Sequence, residues 1–140
     1  MATEQVLRIP VDRHIINTER SFDAVLNDVN SALLDTDQDL LIYEPVIDHE
    51  AESGRSVRIV LGCPDPVDRL DQLVRTVPEA ALSVPSAILI HQTVAGGTRL
   101  AYDAIASSIS SCRSGWALGV AQQRDDAVLG LLRRAADPQG

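Results

Sequence analysis

Apolar positions along the chain fall into alternating helical and extended stretches. In "TERSFDAVLNDVNSALLD", Phe22, Val25, Leu26, Val29 and Leu33 recur at i, i+3, i+4, i+7 and i+11, the spacing that lines one face of an α-helix. Ser21 stands just before the stripe as an N-cap, its hydroxyl placed to accept from an otherwise unpaired N–H of the first turn. The Asp-rich run "DTDQD" ends this helix. Upstream, "VLRIPVDRHIIN" is rich in Val and Ile and predicts a strand from Leu7 to Asn17, with Pro10 at its start or on an edge.

Two more strands, "LLIYEPVIDHE" and "SVRIVLG", flank the turn "ESG", and Pro45 marks a bulge or an edge in the first of them. A second helix is predicted in "CPDPVDRLDQLVRTVPE". Asp65 is its N-cap and Pro66 its first residue, where a missing N–H costs nothing; Val67, Leu70, Leu73, Val74 and Val77 form its buried stripe, and Pro78 stops it. "LSVPSAILIHQTVAGGTRLAYDAIA" reads as two strands around a Gly96-Gly97 turn. The tail begins Ser-rich and becomes a helix over 116–136, with Val128, Leu131, Leu132 and Ala135 on one face. The order β-α-β-β-α-β-β-α, with its hairpins, implies an antiparallel sheet with helices on one face: an α+β two-layer sandwich forming a single domain over 1–140.

A two-residue turn at Gly96-Gly97 sets His91 opposite Tyr102, Ile90 opposite Asp103 and Leu89 opposite Ala104, and directly opposed side chains lie about 5 Å apart at Cβ. Both faces of the hairpin then come out largely apolar: Leu89, Leu100 and Ala104 on one, Ile88, Ile90 and Ile105 on the other. A sheet with one face in water alternates apolar with polar instead. Helices can cover one face only, so the other is expected to meet a second subunit in a homodimer, or to carry a ligand cavity at its margin.

Composition narrows the function. A chain of 140 residues, 45% hydrophobic and 23% charged, supports one globular core. A net charge of −8 without a basic cluster argues against nucleic acid, whose binding depends on Lys and Arg displacing counterions from phosphates. At 3% aromatic content there is no stacking platform for single strands. No apolar run approaches the roughly 18 residues of a spanning helix, so no membrane partner is expected. The start "MATEQVLRIPVDRH" shows no apolar segment behind a basic one, so the expected location is cytoplasmic. Cys63 and Cys112 lie far apart with no CxxC and are expected as free thiols, although a disulfide between them stays open.

Candidate chemistry lies where polar groups interrupt the strands. Asp48 and His49 are consecutive, so regular strand geometry points them to opposite faces unless a bulge after Pro45 re-aims one. His49 titrates nearest neutrality and suits proton transfer, or it holds a loop carbonyl at the strand end. His91 with Tyr102 would place an imidazole and a phenol on one face, as a proton-transfer pair or as a satisfied structural contact. Asp103 binds a polar ligand or meets a neighbouring Arg. Cys63 precedes a helix start, where thiol pKa values fall, or it is a small buried turn residue. A metal site would need His14, His49, His91, Cys63 and Cys112 to converge without any ligand spacing, and "AGGT" lacks a phosphate-loop pattern; neither metal nor cofactor is expected.

With these motifs in order, the chain resembles the domain of unknown function 302 family from about Ser21 to Ala106. The "SFDAVLNDVNSAL" helix is typical of the family's opening, and Ile47-Asp48-His49 matches its I-D-H. "VLGCPDP" echoes its G-N-P with Cys63 in place of Asn, and "PEAALSVPSAILI" echoes its D-L-P with Ser83 and Val84 in place of Asp and Leu. "LAYDAI" stands for its last strand, "LAYNDP". The resemblance implies a TATA-binding-protein-like α/β sandwich and no established reaction. The functional expectation is a cofactor-independent acid–base enzyme of isomerase or cyclase type acting on a small organic ligand. His49, His91 and Tyr102 would be catalytic, and Asp48, Asp103 and Cys63 would contact substrate. The alternative is a non-catalytic ligand-binding or homodimeric assembly module.

Overall fold

The computed structural model describes residues 2–35, 47–51, 54–61 and 69–138. Strand β1 (Arg13–Thr18) is followed by helix α1 (Phe22–Asp35), a hairpin of β2 (Ile47–Ala51) and β3 (Gly54–Leu61), and helix α2 (Arg69–Thr76). A 3-10 turn over Pro78–Leu82 leads into β4 (Ser86–Gln92) and β5 (Thr98–Asp103). A short helix α3 (Ile105–Ser108) and the long α4 (Gly115–Ala136) complete the order. The strands form one five-stranded sheet in the order β1-β5-β4-β3-β2, and every neighbouring pair is antiparallel. The expected sandwich with helices on one face is the observed architecture.

One sheet face packs a core. Ile16, Leu100, Ile90 and Val57 lie in one row across the strands, and Tyr102, Ile88 and Ile59 lie in the next. Against them pack Phe22, Val25, Val29 and Leu33 of α1 with Val128, Leu131, Leu132 and Ala135 of α4, so both predicted stripes do face the sheet. Each such aliphatic side chain, fully removed from water, contributes about 1.5–3 kcal/mol of transfer free energy. The N-terminal half of α4 packs elsewhere, where Ala117, Val120 and Ala121 meet Leu73, Val77, Ala80, Ile105 and Ile109 in a second cluster. At 22 residues, α4 is long enough to serve both clusters.

The helix ends are tied to the sheet. Ser21 Oγ accepts from the Ala24 N–H at 3.2 Å, as its N-cap role requires. Arg55 of β3 lies over the Phe22 ring, 4.7 Å from its centre, and pairs with Asp23 at 3.1 Å. Ser114 caps α4 by accepting from the Ala117 N–H at 3.1 Å. At the other end of α4, the Thr18 hydroxyl donates to the Ala136 carbonyl at 2.8 Å and the Arg20 guanidinium to that of Ala135. The last carbonyls of a helix lack intrahelical donors, so this end is closed by the residues around the end of β1.

Several sequence expectations are corrected. The first strand starts at Arg13, not Leu7, because its partner β5 ends at Asp103 and turns away into α3; the last link is Ala104 N–H to the Asp12 carbonyl at 3.0 Å. Pro10 has no N–H to extend a ladder, and Val6, Leu7, Ile9 and Val11 are exposed. The last strand stops before Ile105, which opens α3. The largest correction concerns the β4–β5 hairpin. Its loop is Val94-Ala95-Gly96: Gly96 N–H donates to the Thr93 carbonyl at 3.0 Å, and Thr93 N–H donates to the Gly97 carbonyl at 2.9 Å. Gly96 has φ +92°, the positive value that a three-residue loop ending in a glycine bulge requires. Tyr102 therefore faces Ile88, and His91 faces Arg99.

That register also removes the second apolar face. Leu100, Ile88 and Ile90 share the helix-covered side, while the outer face mixes Leu89, Ile15 and Ala101 with Arg58, Arg99, His91, Arg13 and Asp103. The outer face thus mixes charged with apolar side chains, and Val60 at its β3 end is buried. The helix start at Asp65 and Pro66, and Val67 with it, lie outside the described residues.

Candidate functional site

Across β1, β5, β4, β3 and β2 the register aligns Asn17, Arg99, His91, Ser56 and His49 in one row of the outer face. The next row is Ile15, Ala101, Leu89, Arg58 and Ile47. Beyond it opens a cleft of about 450 Å³. Segments 85–89 and 101–104 form its floor, and because Ile88 and Tyr102 bury their side chains on the other face, these two meet the cleft through backbone. Val11, Leu82, Pro85 and Leu89 supply apolar walls, and Arg13, Arg58 and Asp103 supply charge. Leu82 is 90% exposed and Leu89 43%, apolar surface left facing this opening.

The charges differ in their commitments. Arg13 grips Asp103 with two hydrogen bonds, Nε to Oδ1 at 2.7 Å and Nη2 to Oδ2 at 3.0 Å. Hydrogen bonding to Arg13 holds the Asp103 carboxyl below the usual carboxylate range; partial burial opposes this and the guanidinium charge adds to it. The bond and charge of Asp103 in turn raise the Arg13 pKa. Arg58 is exposed, and its guanidinium makes no ion pair or hydrogen bond among the described residues.

Tyr102 is not on this face. It is 1% exposed, and its hydroxyl donates to Asp125 Oδ1 at 2.7 Å. The same carboxylate accepts the Ile105 N–H at 2.8 Å on Oδ1 and the Ala106 N–H at 2.9 Å on Oδ2, so Asp125 holds the start of α3 onto β5. Burial, the Asp125 charge and the hydrogen bond to it push the phenol pKa well above its ordinary value, while Ser86 and Arg124 act in the opposite sense. This phenol is a structural hydrogen-bond donor and is kept protonated. The expected His91–Tyr102 pair does not form, since the two residues occupy opposite faces.

The other expected site residues divide. His91 is on the outer face, half-buried between Arg99 and Ser56. Asp48 and His49 sit at consecutive positions of edge strand β2, opposite Val57 and Ser56, which belong to opposite faces; their side chains lie outside the described part. His49 and His91 thus share a row with Ser56 between them, whereas Asp48 does not join them. Asp103 meets an arginine, one of its two expected roles. Cys63 lies outside the described residues, and Cys112 is a partly buried free thiol just before α4.

Arg58, Arg13 and Asp125 were not singled out from sequence. Asp125 had a signal, because it lies three residues before Val128 and four after Ala121, on the buried stripe of α4, where a carboxylate must find donors. A second groove of about 870 Å³ gathers Arg20, Arg133 and Arg134 beside Thr18 and Ala136. Arg20 there is committed to Asp28 and to the Ala135 carbonyl, and arginines in a helix's last turn already complement its dipole. No helix among the described residues is long and apolar enough to cross a membrane.

Comparison with protein-family models and with curated proteins finds no match. Among solved structures, the chain is similar to the crystal structure of the uncharacterized conserved protein DUF302 from Bacillus stearothermophilus, with a TM-score of 0.69 and 8% identity over 88% of this chain and 97% of that one. The likeness extends well beyond the Ser21–Ala106 stretch that carried the sequence motifs, and at this identity it is a likeness of architecture: the chain has a DUF302-like fold.

Proposed function

We propose that this protein binds a small organic ligand on its outer sheet face. The observation that carries the reading is the cleft of about 450 Å³, with exposed apolar walls beside a charged rim. Its volume falls in the lower part of the range for small-molecule sites, about 300–1,000 Å³, and apolar walls with a few polar groups are the usual composition of such sites. The test is native mass spectrometry of the purified full chain, followed by backbone amide NMR with whatever co-purifies. Shifts at Ala87, Leu89, Ala101 and Asp103 would support the reading, and shifts confined to other elements would refute it.

Acid–base catalysis is the finer form of this proposal. It is supported by the common row of His49 and His91, two strand spacings or about 10 Å apart. That separation suits a substrate lying between the two positions. Tyr102 drops out of this mechanism, and Asp103, neutralised by Arg13, acts as a rim group. His91→Ala that folds normally and retains full turnover of an identified substrate would reject it.

Homodimerisation is supported by a different observation. Edge strand β1 is preceded by exposed Val6, Leu7, Ile9 and Val11, and it carries exposed Ile15. Open strand edges pair readily with other chains. Sedimentation across a concentration series tests it, and a monomer at every concentration would reject it.

A further inference from the structure

We infer that the ligand of the outer-face cleft is an organic anion with an apolar body, its carboxylate held by Arg58. This rests on the cleft being the ligand site. Arg13, Arg20 and Arg55 each meet a carboxylate: Asp103, Asp28 and Asp23. Arg58 meets none among the described residues. Its register neighbours on the outer face, among the described residues, are Ser56 and Val60 along β3, Leu89 on β4 and Ile47 on β2, none of them acidic. Among the described residues, Arg58 therefore reaches the cleft without a counter-charge beside it.

The rest of the rim does not cancel it. Asp103 carries the cleft's negative charge, but Arg13 holds it in a two-pronged bond, so the pair is locally neutral. Among the described residues the cleft is left with the uncompensated charge of Arg58, on a molecule whose net charge is −8. A planar guanidinium binds carboxylate through two parallel N–H···O bonds. Leu82, Leu89, Val11 and Pro85 would take the apolar body of the same ligand. The volume fits a medium-chain or aryl monocarboxylate.

The experiment titrates the full-length, nitrogen-15-labelled protein with octanoate, octan-1-ol and octylammonium, which share one body and differ in charge. The expected result is amide shifts at Leu89, Ala101 and Asp103 with octanoate, binding about fivefold tighter than the alcohol, as one partly exposed charge-assisted pair supplies. Octylammonium is expected to bind weakest. Added salt should weaken octanoate and leave the alcohol unchanged. Arg58→Gln, an exposed position whose change should not move the melting temperature, is expected to erase the preference, and Arg133→Gln, in the second groove, to leave it. Equal binding of octanoate and octanol at the cleft, or an unchanged preference in R58Q, overturns the anion assignment while leaving the cleft as a ligand site. No shift at the cleft with any of the three probes overturns both.

Discussion

Replacing Tyr102 with Phe tests which face of the sheet the residue occupies and what its hydroxyl does. The phenol donates to Asp125 at 2.7 Å in a buried setting, and a hydrogen bond to an ionised acceptor is worth about 1.5–3 kcal/mol. The Phe variant leaves Asp125 with the Ile105 and Ala106 amides, so the carboxylate is not orphaned and the loss should stay near 2 kcal/mol. In a chain of this length that is roughly 5–10 °C in melting temperature. Asp125→Ala is harsher, because it strands the phenol and two backbone N–H groups together, and should cost about 3–5 kcal/mol.

The pH dependence makes the test specific. Burial and the Asp125 charge raise the Tyr102 pKa in the folded chain, whereas an unfolded tyrosine ionises near pH 10. Below pH 10 both states keep the proton and the stabilisation is fully present. Above it the unfolded chain binds fewer protons, so stability falls by about 1.4 kcal/mol per pH unit from this group alone. Urea unfolding followed by far-ultraviolet circular dichroism, for wild type and Tyr102→Phe side by side, should give a stability gap that is constant from neutral pH to about 10 and narrows above it. A gap below about 0.5 kcal/mol at neutral pH, or one that does not narrow, would mean the phenol is not held in this bond and would return Tyr102 to the list of accessible acid–base groups.

Four other substitutions probe the hairpin, the rim and a helix cap. Gly97→Ala would put a Cβ 2.5 Å from the Thr18 carbonyl oxygen, a backbone atom that cannot step aside, and should cost about 2–3 kcal/mol in urea unfolding. Gly96→Ala meets no neighbouring atom but must hold φ +92°, so it should cost about 1–2 kcal/mol from backbone strain alone. Arg13→Ala should let the Asp103 carboxyl rise toward its ordinary range in an NMR titration. Since a depressed carboxyl stabilises above its unfolded pKa and loses that contribution as pH falls through its folded value, any stability difference should fade at acid pH. Ser114→Ala removes the α4 N-cap bond and should cost about 1 kcal/mol by thermal melting.

The helices were legible because their signals are local. The stripe from Phe22 to Leu33 and the Ser21 cap both correspond to observed packing and hydrogen bonds, and the C-terminal helix over 116–136 became Gly115–Ala136. The strand content was legible too, but strand limits depend on a partner's length: the first strand shrank to Arg13 because β5 ends at Asp103. Cross-chain contacts left only traces in the sequence. Asp125 reaches Tyr102 across 23 positions and Asp103 reaches Arg13 across 90, and no spacing rule links such pairs. The functional reading failed at the same kind of place, since the His91–Tyr102 pair hung on an assumed loop length.

That loop length had an energetic signature in the strands. On β5, Leu100 and Tyr102 alternate with Arg99 and Asp103, and on β4, Ile88 and Ile90 alternate with Leu89 and His91. A two-residue turn would set Asp103 beside Ile90, on the face that bears Ile88 and Ile90. If that face met the helices, an ionised carboxylate would enter the core without a donor, and even partly compensated burial of this kind costs several kcal/mol. Adding a loop residue at Gly96 costs little, because glycine accepts a positive φ without the Cβ clash other residues incur. The observed register puts Leu100, Tyr102, Ile88 and Ile90 on one side, leaves Leu89 on the other, and sends Asp103 out to Arg13. Tyr102 is carried inward by the same step and needs a buried acceptor, which Asp125 supplies. The hairpin thus trades an accessible imidazole–phenol pair for a satisfied core, and the chemistry open to an external ligand is what remains outside: Arg58, the Arg13–Asp103 bracket and the row through His91.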